Sequence, residues 1–331
     1  MEKKQYNSCL DWIKGIACIF VVFLHCEFPG VLGIAVQAIS RYCVPFFFMV
    51  SGYYCYRNSP IGLSERKRKV LHILKITVYA SLFYILFALF QYWIWGDVFL
   101  SVTTKDAIVF ALFNQMKVIV SQMWFLWALL YVYILYLWIG GQDWYKRYSL
   151  PIVVVCLTLY VALAQGLHVA GISVPNYVYK NWLVEGLGFF TLGYVLHQYR
   201  ERIELKNSIL MALFIVFTLL CLIERYLFGR DFGVNICSIP QVIVLFLYGV
   251  SNPEKHKGSL QWLGQACSMF VYILHPFVWH SLERVYKALH IENSMLALYL
   301  LPIFVLFITI LLSMACYKVQ SSLKTQKSIL C

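Results

Sequence analysis

Apolar runs of about twenty residues recur from one end of this chain to the other, and that pattern excludes most folds. A helix rises about 1.5 Å per residue, so such a run covers the roughly 30 Å hydrocarbon core of a bilayer. Inside that core every backbone N–H and C=O must find its partner within the protein, which leaves helices and closed barrels. The runs lack the residue-by-residue alternation of barrel strands. An all-α, polytopic integral membrane protein is therefore expected. Composition agrees: of 331 residues, 61% are hydrophobic and 13% charged, and the mean hydropathy is +0.72. That is too little charge to clothe a soluble surface.

Runs bounded by charged or turn-rich stretches place about ten spans, at 10–27, 33–56, 71–95, 122–139, 150–167, 181–198, 208–228, 234–251, 264–282 and 294–317. The stretch DAIVFALFNQMKVIV, residues 106–120, is shorter and amphipathic, and is expected to lie in the interface or re-enter. The first run holds a Lys and a His and has no small-x-small cleavage site, so it reads as a retained helix and not as a signal peptide.

The formal charge of +12 would suit nucleic acid in a soluble protein. Here the Lys and Arg residues mark a side of the membrane instead. With ten spans, seventeen of them, including Arg66, Lys67, Arg68 and Lys69, fall on the N-terminal side and seven on the other. Both termini are thus expected in the cytoplasm, in a multi-pass plasma (inner) membrane protein of the bacterial type. No hydrophilic stretch is long enough for a separate soluble domain, so residues 1–331 read as one domain. The eleven Cys residues are scattered, with no C-x-x-C pair and no zinc-like His spacing, and imply neither a disulfide framework nor a metal.

What the bilayer does not explain is charge inside the spans. Lys14 and His25 are eleven residues apart, about three full turns, so they share one face of the first helix, some 16 Å apart along it. Lys14 near a helix end reads either as a snorkelling cation or as a grip on phosphate or a carbonyl. His25 lies deeper and must find partners or a water-filled cavity. A neutral imidazole so placed can take the proton of a hydroxyl that attacks an activated acyl group. Arg41 calls for an anion. Glu185 is the obvious intramembrane acid, pairing with Arg41 or Lys75 or lining an acceptor path. His275 precedes Pro276, on a span whose outer end carries His280 and Glu283, and serves either packing or the site. Ser51 sits in no G-x-S-x-G elbow, which favours direct transfer over a serine acyl-enzyme.

Several motifs resemble the acyltransferase-three family of polytopic membrane O-acyltransferases. LDWIKGIACIFVVFLH is similar to the family's opening helix, where a basic residue, ten positions and a His recur; here these are Lys14 and His25. RYCVPFFFMVSGYY resembles its second helix, with Arg41, Pro45, Ser51 and Gly52. MWFLWALL at 123–130, FFTLGYVL at 189–196 and MFVYILHPFV at 269–278 resemble later ones. The resemblance implies transfer of an acyl group, usually acetyl from acetyl-CoA, to a hydroxyl of a cell-surface or exported carbohydrate or glycolipid, without a metal. It implies His25 as base, Lys14 and Arg41 at the donor or developing charge, and Arg66 and Arg68 as candidates for the CoA phosphates. Ser51, Glu185 and His275 then fall to the acceptor. No appended esterase-like domain is present, and Gln122 stands where relatives often have His. The competing class is a transporter or flippase whose polar pathway is Lys14, His25, Arg41 and Glu185; domains resembling this family have been proposed for amino-acid uptake alongside racemases. Oligomeric state has no signal in the sequence.

Overall fold

The computed structural model describes residues 6–59, 61–97, 102–115 and 121–329. Lys3, Lys4 and Lys117, counted above for topology, lie outside the described residues, as does the end of the short amphipathic stretch, 116–120. Among the described residues every regular element is helical. Two compact units form: Met1–Phe46 with Leu205–Cys331, and Phe47–Glu204.

The first unit begins with α1, Ser8–His25, whose first turn is capped by Asn7: its side chain accepts from the Leu10 N–H at 2.8 Å and donates to the Gly249 carbonyl at 3.0 Å. Then come α2, Gly30–Ser40, and the start of α3, Cys43–Tyr53. Sequence reads these as one run, but the chain breaks at Arg41 and Tyr42. Apolar composition continues across the break, so hydropathy does not register it. In the second unit follow α4 (Leu63–Trp95), α5 (Thr104–Phe113), α6 (Trp124–Ile139), α7 (Asp143–Val161), the single turn α8 (Leu167–Val169) and α9 (Leu187–Gln198). The first unit resumes with α10 (Asn207–Phe228), α11 (Ser238–Ser251), α12 (Ser259–Trp262), α13 (Ser268–Ala288) and α14 (Met295–Ile329). Single π-helical turns occupy Ala162–Gly166, Trp182–Gly186 and Leu263–Cys267.

Seven helical stretches among the described residues are long and apolar enough to cross a membrane. The other three expected spans are helical but fall short of that measure. α11 has only 14 residues, about 21 Å. The stretch at 181–198 is broken into a π turn and the 12-residue α9. The third, through α13, carries Gln265, His275 and His280. α5, ten residues and about 15 Å long, is too short to cross.

In the second unit, the Ser-Gly pair and the LGY stretch acquire a packing role. A Cβ on Gly52 would run into the Phe190 carbonyl, and one on Gly193 into that of Met49. α3 and α9 therefore meet backbone to backbone, as small residues allow between helices in a membrane.

Candidate functional site

α1 carries Lys14 and His25, singled out by sequence, and a third charged group, Asp11. Asp11 is buried and holds Lys14 at 2.5 Å, one turn on. This is a partner that sequence reasoning left unused, although Asp11 precedes Lys14 by the i, i+3 spacing of helical ion pairs. An anion approaching Lys14 competes with that carboxylate.

Beside α1 runs the stretch from α12 through the π turn into α13. At one end, a Cβ on Gly15 would run into the Leu260 carbonyl, and one on Gly264 into that of Asp11. Three residues after Gly15, Cys18 Sγ lies 3.9 Å from the Ser268 carbonyl. Seven residues beyond each of those, the rings of His25 and His275 stack, with centroids 5.2 Å apart and planes inclined by 25°. The two segments therefore run side by side in the same direction. A Cβ on Gly264 would also crowd the Gly15 nitrogen; from there to the next contact three residues on α1 match four on the other segment, and the π turn Leu263–Cys267 absorbs the extra one. Beyond it the register is one to one.

His275 is fully buried. Its Nδ1 lies 3.1 Å from the Val271 carbonyl, to which only a protonated nitrogen can donate, so Nε2 is left as an acceptor. Nε2 is buried and has no hydrogen-bond partner. His25, half-buried at the last turn of α1, faces that ring. Two residues after His25, Glu27 and the following turn line a cavity of about 420 Å³ with Ile34 and Leu298.

Arg41 pairs with Asp231, and Asp231 also accepts from the Gly233 N–H at 3.0 Å. Glu185 was one of the partners weighed for Arg41; the acid found beside it comes from the loop after α10. That loop is held by Glu224, whose two carboxylate oxygens accept from the Ile236 and Cys237 N–H groups at 2.7 and 2.8 Å. Arg41 side-chain exposure is 12% and that of Asp231 is 33%. Arg41→Met should cost about 2 kcal/mol, less than a fully buried pair because Asp231 keeps some solvent. Adding Asp231→Asn should recover most of that loss in a double-mutant cycle on thermal unfolding.

The remaining candidates belong to the second unit. Glu185 is buried in the π turn Trp182–Gly186. Ser51 donates to the Phe47 carbonyl at 2.9 Å, one turn back. Arg66 donates to the Leu137 carbonyl near the end of α6 and lies against Gly141, so it caps a helix that has carbonyls to satisfy. Arg68 is exposed. Among the described residues, no group of three or more His, Cys, Asp or Glu comes together as a metal site.

Residues 7–318 match a family model described as an acyltransferase domain, nearly the whole chain. The protein belongs to the acyltransferase-three family. A serine/alanine racemase from Enterococcus gallinarum is 24% identical over 305 residues, covering 82% of this chain and 40% of that protein. The chain thus spans less than half the length of that relative. No solved structure gives a significant match. Membership in the family makes the chain a membrane acyltransferase by class, and among the titratable residues of the motifs the fold stacks His25 on His275.

Proposed function

We propose that this acyltransferase moves an acyl group, acetyl in the first place, from cytoplasmic acyl-CoA to a hydroxyl of a cell-surface or exported carbohydrate or glycolipid. The observation that supports this most is the His25–His275 pair at the end of the helix that opens the matched domain. His25 takes the proton of the acceptor hydroxyl, and the oxygen attacks the thioester carbonyl. The C–S bond breaks, the sulfur leaves with the proton from the imidazolium, and the products are an ester and free CoA. His275 holds the His25 ring by stacking and offers Nε2 to the acceptor. The cavity beside Glu27 is the acceptor's approach. Lys14 and Arg41 answer donor charge in competition with Asp11 and Asp231.

In this reading all ten helical stretches cross and both termini are cytoplasmic in the plasma membrane. The 14 residues of α11, about 21 Å, cross with local thinning of the bilayer. Purified protein in nanodiscs should bind labelled acetyl-CoA and release free CoA when a carbohydrate acceptor is supplied. Absence of both binding and turnover would end the reading. A reporter after Arg57 should be cytoplasmic and one after Lys180 external.

The alternative is a transporter of small polar molecules using the same polar groups, and the matched serine/alanine racemase makes serine the first substrate to try. Serine uptake by proteoliposomes, with no consumption of acyl-CoA, would select it.

A further inference from the structure

The face of α1 turned roughly 150° from Lys14 and His25 lines a second cavity, of about 300 Å³, closed by α2, α10 and α11 of the same unit. Its extent follows from the helices along it. On α1 it runs from Trp12 to Phe20, on α10 from Met211 to Thr218, and on α11 from Tyr248 to Gln241. At about 1.5 Å per residue each gives about 10–12 Å, an elongated space whose walls are mostly apolar side chains.

The polar groups at its floor are already occupied. Gln241 donates to the Ile39 carbonyl at 3.2 Å and to Thr218 Oγ1 at 3.0 Å, and Thr218 donates to the Phe214 carbonyl at 2.7 Å. A polar ligand placed there would lose its own hydrogen bonds to water without replacement, whereas an alkyl chain loses none.

The mouth is different. His256 stands there with a left-handed backbone, φ 60°, a conformation uncommon for a residue with a side chain. It is held by stacking on Trp12, centroids 4.5 Å apart, and by a 2.8 Å hydrogen bond between its Nε2 and the Tyr248 hydroxyl. Its neighbours Lys255 and Lys257 are exposed, and the Lys257 pair with Glu254 is a surface contact of little energetic weight. An elongated apolar slot thus opens beside a Lys-His-Lys sequence fixed at the end of α1 where the helix begins.

We infer that this cavity holds one acyl chain of an anionic membrane lipid, whose phosphate meets Lys255, His256 and Lys257. The lipid wedges between α1 and the α10–α11 pair, so its occupancy bears on the rigidity of the helix that carries His25. The inference does not depend on which acyl acceptor the protein uses.

The test uses the full chain in nanodiscs with a phosphatidylglycerol that carries a photoreactive diazirine in one acyl chain. After irradiation, the label should concentrate on the residues of α1, α10 and α11 that line the slot. Excess phosphatidylglycerol should suppress that labelling about tenfold, while phosphatidylcholine of the same chains should not. Leu245→Trp, which fills the slot, should remove it to a similar degree, and Ile16→Trp gives the same readout from another helix should the first variant fail to fold. Labelling spread over the exposed faces of α4 and α14 overturns the site. Equal competition by phosphatidylcholine overturns the anionic headgroup, and suppression by acetyl-CoA alone would assign the slot to the donor's pantetheine arm and overturn the lipid.

Discussion

His25→Ala is expected to lower acyl transfer about 10²- to 10⁴-fold, the range that loss of a general base produces. Membrane insertion and thermal stability should change little, because the side chain is half-buried at the last turn of its helix and is not a core residue. His275→Ala is a different experiment. That ring is fully buried, so its removal leaves a void and costs stability as well as rate. His275→Asn keeps a polar side chain of similar reach and separates the two effects. If His275 acts by holding His25 in place, kcat per folded molecule falls; if it only fills space, kcat falls in proportion to the folded fraction and kcat per folded molecule stays, with the KM for acyl-CoA unchanged in either case. Lys14→Ala should instead raise the KM for the donor and leave Asp11 buried without its cation. Full transfer by His25→Ala would remove the catalytic assignment and leave the transporter reading.

The face joining Lys14 to His25 was legible because helical periodicity is a local property, and eleven residues of one unbroken helix preserve it. Asp11 was equally local, and its spacing from Lys14 was signal enough for the ion pair. His275 was visible as a buried polar residue before a proline, but its contact with His25 joins positions 250 apart, and nothing in hydropathy pairs them. The Arg41 partner was not legible for a related reason. Asp231 lies in GRDFGVN, which reads as an ordinary connection, and only the Glu224 clamp on Ile236 and Cys237 shows that the loop is tied down. The break after Ser40 was invisible because the residues on both sides are apolar. Gly52 and Gly193 stood out as motif members, yet what they provide is close approach of two helix backbones. The span count met the same limit: a window on hydropathy assumes that a crossing helix is long and greasy, and α11, α13 and the stretch around α9 depart from that through length, polarity or a π turn.

Gly264→Leu should prevent the protein from folding, and the reason connects packing to chemistry. The backbones of α1 and the π turn touch where Gly15 and Gly264 face each other, and a Cβ on Gly264 collides with the Asp11 carbonyl and approaches the Gly15 nitrogen. Both obstacles are backbone, so no rotamer change relieves them and the helices must separate. Overpacking a core usually costs about 1–3 kcal/mol. A collision of two main chains with nowhere to yield should exceed about 4 kcal/mol, the range reserved for severe single substitutions. Gly62→Ala is the control: nothing stands within 4 Å of that Cβ, and it should be neutral or slightly stabilising. Yield of monodisperse protein in detergent and its unfolding temperature read both. Gly264→Ala is the informative intermediate, because the parts that survive would report on the site. The contact at Gly264 and the stack at His275 lie eleven residues apart on one segment, against ten from Gly15 to His25 on α1, so spreading the first is expected to loosen the second. Folded Gly264→Ala protein with undiminished turnover would show that the His25–His275 contact is fixed independently of this glycine crossing.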